Sequence, residues 1–153
     1  MYEIERKFLV IMALFPGSDQ KDIIKQGYLS VDPERIVRVR IEAERAWLTI
    51  KGKVKGLTRR EFEYPIPVED AEELLRLTLF PAIEKIRHRV EYMGVLWEVD
   101  RFLGVNEGLV LAEVELMSEN QEIVLPPWVG MEVTSDIRYY NSWLSEHPFS
   151  LWK

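Results

Sequence analysis

Hydrophobic and polar positions alternate with a period of two along most of this chain. That period marks extended strands, whose successive side chains point to opposite faces. In the opening run, Glu3, Glu5 and Lys7 share one parity, while Ile4, Phe8 and Val10 take the other with Arg6 among them. The run stays apolar to Phe15, so the first strand is expected to continue to a turn at Phe15–Asp19. Strict alternation returns from Arg35 to Glu42, where Val37, Val39 and Ile41 oppose Arg38, Arg40 and Glu42. It recurs from Ala46 to Lys51 and from Thr58 to Ile66, which places Trp47, Thr49 and Lys51 against Leu48 and Ile50, and Glu61 and Glu63 against Phe62, Tyr64 and Ile66. Between Ala82 and Tyr92, Lys85, Arg87, Arg89 and Glu91 oppose Ile86, Val90 and Tyr92. Glu98 and Asp100 then oppose Trp97 and Val99, and Glu113 and Glu115 oppose Val110, Ala112, Val114 and Leu116. Met93-Gly94 and Asn106-Glu107-Gly108 separate these last strands as turns.

Helical spacing interrupts the alternation in few places. Gln20–Gln26 is expected to hold a helical turn before an extended Gly27–Ser30. Val68 to Phe80 predicts the main helix: Val68, Ala71, Leu74, Leu75 and Leu79 recur at helical spacing, and acids crowd the first turn, where the macrodipole favours them. Ser118 and Gln121 are spaced as a capping box for a short helix to Ile123. Pro126-Pro127-Trp128 is a rigid loop, Met131–Thr134 is extended, and a final helix over Asp136–Glu146 shows Ile137, Tyr140 and Leu144 on one face. Trp143 and the aromatic tail from Phe149 to Trp152 call for an apolar docking surface.

One strand with a charged parity is an ordinary half-exposed strand. Seven such segments with their charges sorted by sign are something else. Glu3/Glu5, Glu61/Glu63, Glu98/Asp100 and Glu113/Glu115 are acid pairs at i, i+2, and Arg38/Arg40 and Lys85/Arg87 are basic pairs at the same spacing, with Lys7 and Lys51 beside them. A shared charged cavity explains that sorting better than a solvated sheet. Strands of this kind close into an antiparallel barrel whose lumen holds the charges and whose apolar outside is covered by helices, an α+β fold; about eight strands leave room for one small ligand.

Composition narrows the chemistry. At 153 residues, 47% apolar and 30% charged, the chain reads as one globular domain spanning 1–153. A net charge of −6 argues against a nucleic-acid surface. No segment is a transmembrane candidate, and the apolar run near the N-terminus follows two glutamates and lacks a small-residue cleavage site. The absence of cysteine removes disulfides, thiolate ligands and thiol nucleophiles, and fits a cytoplasmic protein. The eight paired acids outnumber the six bases Lys7, Arg38, Arg40, Lys51, Lys85 and Arg87, so a lumen of these residues repels a phosphate chain unless divalent cations sit on the carboxylates. Hard oxygen donors point to Mg²⁺ or Mn²⁺, and the arginines offer forked donors for phosphate oxygens. Trp97, Trp128 and both histidines, His88 and His147, are read as structural.

Glu3-Ile4-Glu5-Arg6-Lys7-Phe8 resembles the ExExK signature of the CYTH superfamily, the triphosphate tunnel metalloenzymes. Gln26-Gly27-Tyr28-Leu29, Arg38-Val39-Arg40, Leu48-Thr49-Ile50-Lys51, Arg60-Glu61-Phe62-Glu63, Glu84-Lys85-Ile86-Arg87, Trp97-Glu98-Val99-Asp100, Glu113-Val114-Glu115 and Asp136-Ile137-Arg138-Tyr139 follow in family order. The likeness is greatest to small bacterial members that hydrolyse inorganic tripolyphosphate. It implies an eight-stranded tunnel, a small-molecule triphosphate as partner, and Mg²⁺ or Mn²⁺ as cofactor; a homodimer is left open. It further implies Glu3, Glu5, Glu113 and Glu115 as metal ligands with Glu61 and Glu63 as helpers, Glu3 and Glu5 also orienting the attacking water. Lys7, Arg38, Arg40, Lys51, Lys85 and Arg87 are implied as grips on the phosphate chain, with Lys7 near the reacting group and Tyr28 hydrogen-bonded to Lys7. Arg59, Arg60 and Arg138 are weaker candidates, and Arg6 falls outside the site on the outward parity. Class IV adenylyl cyclase, thiamine triphosphatase and a non-catalytic phosphate-chain binding module are the rival readings.

Overall fold

The computed structural model describes residues 1–152. Nine strands carry the fold: β1 (Tyr2–Val10), β2 (Lys21–Ser30), β3 (Ile36–Glu42), β4 (Arg45–Lys51), β5 (Thr58–Ile66), β6 (Ile83–Tyr92), β7 (Val95–Phe102), β8 (Val110–Glu115) and β9 (Val129–Glu132). The helices are short, α1 (Val68–Leu74) and α2 (Asn141–Glu146). Every pairing is antiparallel, and the order β1-β5-β4-β3-β2-β6-β7-β8 returns to β1, so eight strands close into the expected barrel and β9 stands outside the ring. Among the described residues no helix is long and apolar enough to cross a membrane.

The closure has a seam. One edge of β1 pairs with β8 from Glu5 to Leu9. The other edge pairs with β5 only from Tyr2 to Ile4, and β9 takes it over at Phe8 and Val10. Between them the Glu5 amide donates to the Leu57 carbonyl at 3.3 Å, and the Val133 amide donates to the Lys7 carbonyl at 2.8 Å. The wall therefore changes partner beside Glu5 and Lys7.

Two apolar clusters wrap the outside and one fills part of the inside. Phe8, Trp97, Val99, Ala112 and Val114 pack outward under Trp128 and Phe15. Val39 and Ala46 lie under Ala71 of α1, with Leu29, Ile41, Leu48 and Leu74 around them. Each large apolar side chain so buried contributes about 1.5–3 kcal/mol. The third cluster, Tyr28, Ile36, Ile83, Phe102, Leu109 and Leu111, is joined by Val133 and by Leu144 of α2, with Tyr139, Phe149 and Trp152 against it. Most of its strand residues share the parity of the charges, so it fills one end of the lumen.

Local expectations fail where the barrel overrides spacing. The segment expected as a helical turn at Gln20–Gln26 is strand: Ile24 and Gln26 turn inward beside Lys85 and Arg40. The first strand stops at Val10, and a 3₁₀ turn follows at Met12–Leu14. The main helix ends at Leu74 rather than Phe80, because the Leu79 amide donates to the Tyr28 carbonyl at 2.9 Å and draws the chain onto β2. Gly27 permits that approach, since a Cβ there would lie 2.7 Å from Thr78 Cγ2. Ser118–Ile123 is not helical; the Gln121 side chain instead accepts from the Met117 amide at 2.6 Å, closing a turn. The extended piece before the last helix lies slightly earlier, at Val129–Glu132. That last helix is divided: a 3₁₀ turn over Ile137–Tyr139 is separated from α2 by extended backbone at Tyr140.

Candidate active site

Antiparallel register brings the sorted charges together. Lys7 faces Glu113 and Glu5 faces Glu115 across β1 and β8; Lys51 faces Glu61 and Thr49 faces Glu63 across β4 and β5; Arg87 faces Asp100 across β6 and β7. All the anticipated site residues line one of two connected cavities. The first, about 770 Å³ with its solvent-open part, opens at the seam near Leu57 and Thr134 and is bordered by Tyr140 and Asn141. The second, about 780 Å³ measured the same way, opens at the opposite end near Glu42, Trp47, Glu61, Glu63, Glu98 and Glu115. Glu3, Glu5, Arg38, Arg40, Lys51 and Glu113 belong to both.

The lumen is graded in charge. Around the first cavity stand six bases, Lys7, Arg38, Arg40, Lys51, Arg59 and Lys85, and three carboxylates, Glu3, Glu5 and Glu113. Around the second stand eight carboxylates and five bases. An anion is favoured at the first and a cation at the second, with the shared residues between them.

Most lumen charges are paired. Lys51 Nζ donates to both Glu3 oxygens at 3.1 and 3.0 Å and lies 3.3 Å from Glu61. Burial would raise the Glu3 pKa, but Lys51 and Arg59 hold it well below the usual carboxylate range. Lys85 Nζ lies 2.8 Å from Asp100, which also accepts from Arg87 Nε and Nη2 at 2.8 and 2.9 Å. Burial pulls Lys85 down from its ordinary value, with Asp100 opposing. Lys7 Nζ donates to the Tyr139 carbonyl at 2.9 Å and lies 3.6 Å from Glu113. Burial opposes its charge, but Glu113 and Glu5 raise its pKa.

Two groups of opposite sign lack such partners. Arg40 makes no ion pair among the described residues; its Nε and Nη2 donate to Gln26 Oε1 at 2.9 and 2.8 Å. Burial, together with Arg38 and Arg87, brings its pKa down to about 9. The Glu5 side chain is also unpaired among the described residues, and burial together with Glu113 and Glu3 pushes its pKa up to about 8. Arg38 adds a buried Nε with no hydrogen-bond partner among the described residues, while its Nη2 donates to Thr49 at 3.2 Å.

Several details differ from expectation. Tyr28 does not bond Lys7 among the described residues: its hydroxyl accepts from Gln26 Nε2 at 3.2 Å. Arg59 reaches Glu3 at 3.4 Å and joins the cavity, whereas Arg138 is held by Asp136 at 2.7 Å on the exposed rim. Arg6 lies outside as expected, donating to Glu132 at 2.9 and 2.7 Å. Trp97 and Trp128 pack edge to face at 5.8 Å on the outer wall. Gln26, Thr49 and Asn141 were not foreseen. Gln26 shares the lumen parity with Tyr28, and that alignment was the signal that could have found it.

The chain also resembles known proteins. The CYTH domain family model matches residues 1–141. An inorganic triphosphatase of Acetivibrio thermocellus is 45% identical over 152 residues, 99% of this chain and 97% of that protein. An inorganic triphosphatase of Nitrosomonas europaea is 40% identical over 150 residues, covering 95% and 97%. A crystal structure of an inorganic triphosphatase superposes with a TM-score of 0.67 at 37% identity, covering 93% of this chain and 96% of that one. With a closed barrel, a charge-lined lumen and a family match over residues 1–141, the chain belongs to the CYTH domain family.

Proposed function

We propose that this chain is a triphosphatase that hydrolyses inorganic tripolyphosphate to diphosphate and phosphate within the barrel lumen. The observation that carries the proposal is that the lumen holds a guanidinium and a carboxyl group that both lack an ion-pair partner among the described residues, Arg40 and Glu5, each lining both cavities. A phosphate chain satisfies the first and a cation the second. The names of the relatives at 45% and 40% identity support the same reading.

The donor set fits a hard divalent cation. Glu3, Glu5 and Glu113 border both cavities, and Glu61, Glu63 and Glu115 extend them toward the acidic mouth. Oxygen ligands without cysteine suit Mg²⁺ or Mn²⁺. Among the described residues no three acids or histidines already stand in metal-holding geometry. Lys51 holds Glu3 and Glu61, and Lys7 and Arg87 hold Glu113, so these carboxylates would hold a cation only by giving up a lysine or arginine contact. A cation held there supplies charge neutralisation at the phosphoryl oxygens and a more acidic water.

The remaining chemistry belongs to the chain. Arg38 and Arg40 present forked donors to the phosphate oxygens. Lys7, Lys51 and Lys85 add point charges, and Arg87, held by Asp100, adds a base to the lining of the acidic cavity. Glu3 and Glu5 orient the attacking water, and Lys7, at the seam, meets the charge that develops on the reacting phosphoryl group. The apolar filling at one end of the lumen limits how far a chain can enter. Residues 1–153 act as one tunnel domain in this reading, and the cysteine-free composition suits a cytoplasmic setting.

A substrate panel tests the proposal. Purified protein with Mg²⁺ or Mn²⁺ is offered tripolyphosphate, diphosphate, ATP and thiamine triphosphate, and phosphate and cyclic AMP are measured. Tripolyphosphate is expected to be cleaved fastest. Cyclic AMP from ATP at a comparable rate would overturn the triphosphatase reading, and tight binding without cleavage would leave a phosphate-chain binding module.

A further inference from the structure

At the basic end of the lumen, hydrogen-bond polarity is fixed by groups that can only donate. A guanidinium carries no acceptor, so the Gln26 oxygen must face Arg40, from which it accepts at 2.9 and 2.8 Å. The Gln26 amide nitrogen then faces the other way and donates to the Tyr28 hydroxyl at 3.2 Å and to Asn141 Oδ1 at 3.0 Å. Lys85 imposes the same direction independently: its ammonium, also without an acceptor, donates to Asn141 Oδ1 at 3.0 Å. The Asn141 oxygen is thereby claimed twice. Its Nδ2 has no hydrogen-bond partner among the described residues, and Asn141 borders the basic cavity. Turning the amide over would set an NH₂ against an ammonium and a second NH₂. The Tyr28 hydroxyl, accepting from Gln26, likewise keeps its proton for another partner.

We propose that Asn141 is a substrate-binding residue: its Nδ2 donates to a phosphate oxygen of the bound triphosphate beside Arg40 and Lys85, and Gln26 and Lys85 set that direction. The inference rests on the triphosphatase reading for the identity of its ligand. It gives the basic end a neutral donor in addition to its charged ones. Neutral donors add geometric selectivity for oxyanions without more buried positive charge. It also assigns α2 a second task, since its Leu144 packs the barrel end while its first residue meets the substrate.

The alternative is that Asn141 only anchors α2 through its oxygen. Two variants separate the roles. Asn141→Ala removes donor and anchor; Asn141→Asp keeps an oxygen for Lys85 and Gln26 but replaces the donor with a second acceptor. Dissociation constants for tripolyphosphate are measured by calorimetry in EDTA, KM and kcat with Mg²⁺, and Tm by circular dichroism. If Asn141 donates, the alanine variant weakens binding by about threefold to tenfold and the aspartate variant by roughly ten- to a hundredfold, with KM following and kcat changing less. If Asn141 is only an anchor, the alanine variant lowers Tm but binds within about twofold of wild type, which overturns the proposal. Weakening in the aspartate variant alone marks simple charge repulsion and overturns it too. The binding arm stands apart from turnover. A wild-type chain that binds tripolyphosphate without cleaving it sinks the triphosphatase reading but not this one, a chain that binds it only with Mg²⁺ leaves the decision to the KM comparison, and a chain that neither binds it in EDTA nor cleaves it with Mg²⁺ sinks both. Should the aspartate variant not fold, the alanine comparison alone decides.

Discussion

Asp100 offers the sharpest test of how the lumen holds its charges. It has no solvent exposure and stands 2.8 Å from Lys85 Nζ while accepting from Arg87 Nε and Nη2 at 2.8 and 2.9 Å. Burial alone would raise its pKa; Arg87 and Lys85 reverse that and hold it well below the usual carboxylate range. Asp100→Asn keeps the shape and one oxygen but removes the charge. Arg87 then retains Glu98 at 3.3 Å and Glu113 at 3.7 Å, whereas Lys85 retains only the neutral Asn141 oxygen. Removing one partner of a buried pair costs about 3–5 kcal/mol. The surviving hydrogen bond places this variant near the lower figure. At roughly 2–4 °C per kcal/mol for a chain of this size, Tm falls by roughly 6–12 °C. Thermal unfolding followed by circular dichroism measures it, and urea unfolding checks that the slope m is unchanged. Because the folded pKa is depressed, this stabilisation is present above the unfolded value of about 3.9 and is lost only as pH falls through the much lower folded value. The difference between wild type and variant should therefore be level from pH 5 to about 6 and narrow above that, as Lys85, brought down to about 7 by burial, loses its proton and its attraction to Asp100. A Tm within about 2 °C of wild type at pH 7 would refute the reasoning, since it would mean that Lys85 and Arg87 do not depend on Asp100.

Two further predictions address the remaining charges. Glu5→Gln should abolish most turnover of tripolyphosphate yet raise the Tm of the protein in EDTA at pH 8. The Glu5 pKa is raised to about 8, so its protonated form stabilises the fold below the unfolded value and that contribution is lost as pH rises toward 8; a lower Tm for the variant at pH 8 would contradict this. Arg6→Ala, by contrast, removes a partly exposed bridge to Glu132 on the outer wall, so Tm should fall by no more than a few degrees and kcat/KM should stay within about twofold, as measured by phosphate release. A tenfold loss would bring Arg6 into the site.

Much of this molecule was legible because strand parity is a strict rule. Once Glu3, Glu5 and Lys7 are assigned to one face, register carries the same face to Glu113 and Glu115, and closure makes it an interior. Parity does not give depth along the barrel axis, however. Leu111 and Glu113 share a face of β8, yet Leu111 belongs to the apolar filling and Glu113 to the charged cavity. The charge gradient between the two mouths was hidden for the same reason. The first part of β2 was misread because its inward residues Ile24 and Gln26 mix polarity and blur the alternation, whereas Gly27–Ser30 was read as extended. Asn141 was out of reach because it meets Gln26 across 115 residues, and only the path of the chain after β9 brings them together. The truncated α1 shows a tertiary hydrogen bond overriding helical spacing that continues in the sequence to Leu79.

The pairing pattern itself separates lumen charges that are satisfied in the empty fold from those that are not. Asp100, Lys85 and Arg87 satisfy one another within a wall that has no exposed face, and a fully satisfied buried network fixes one arrangement. Glu3 and Lys51 do the same nearer the seam. Arg40 and Glu5 depart from that rule, and both lie among the residues shared by the two cavities. Ionised, each destabilises the fold by itself, because burial opposes its charge and neighbours of like sign add to that, and Glu5 is pushed toward its protonated form for this reason. A barrel shaped only for stability would have paired them with each other or replaced them with apolar residues, as it has at Ile36 and Phe102 a short way along the lumen. Their places at the junction between a basic and an acidic cavity are where a ligand carrying both signs, an anion with its divalent counter-ion, would relieve both at once. The strain in the empty fold and the chemistry of the proposed substrate are thus two sides of one charge distribution, set by the alternation of residues on β1 and β3.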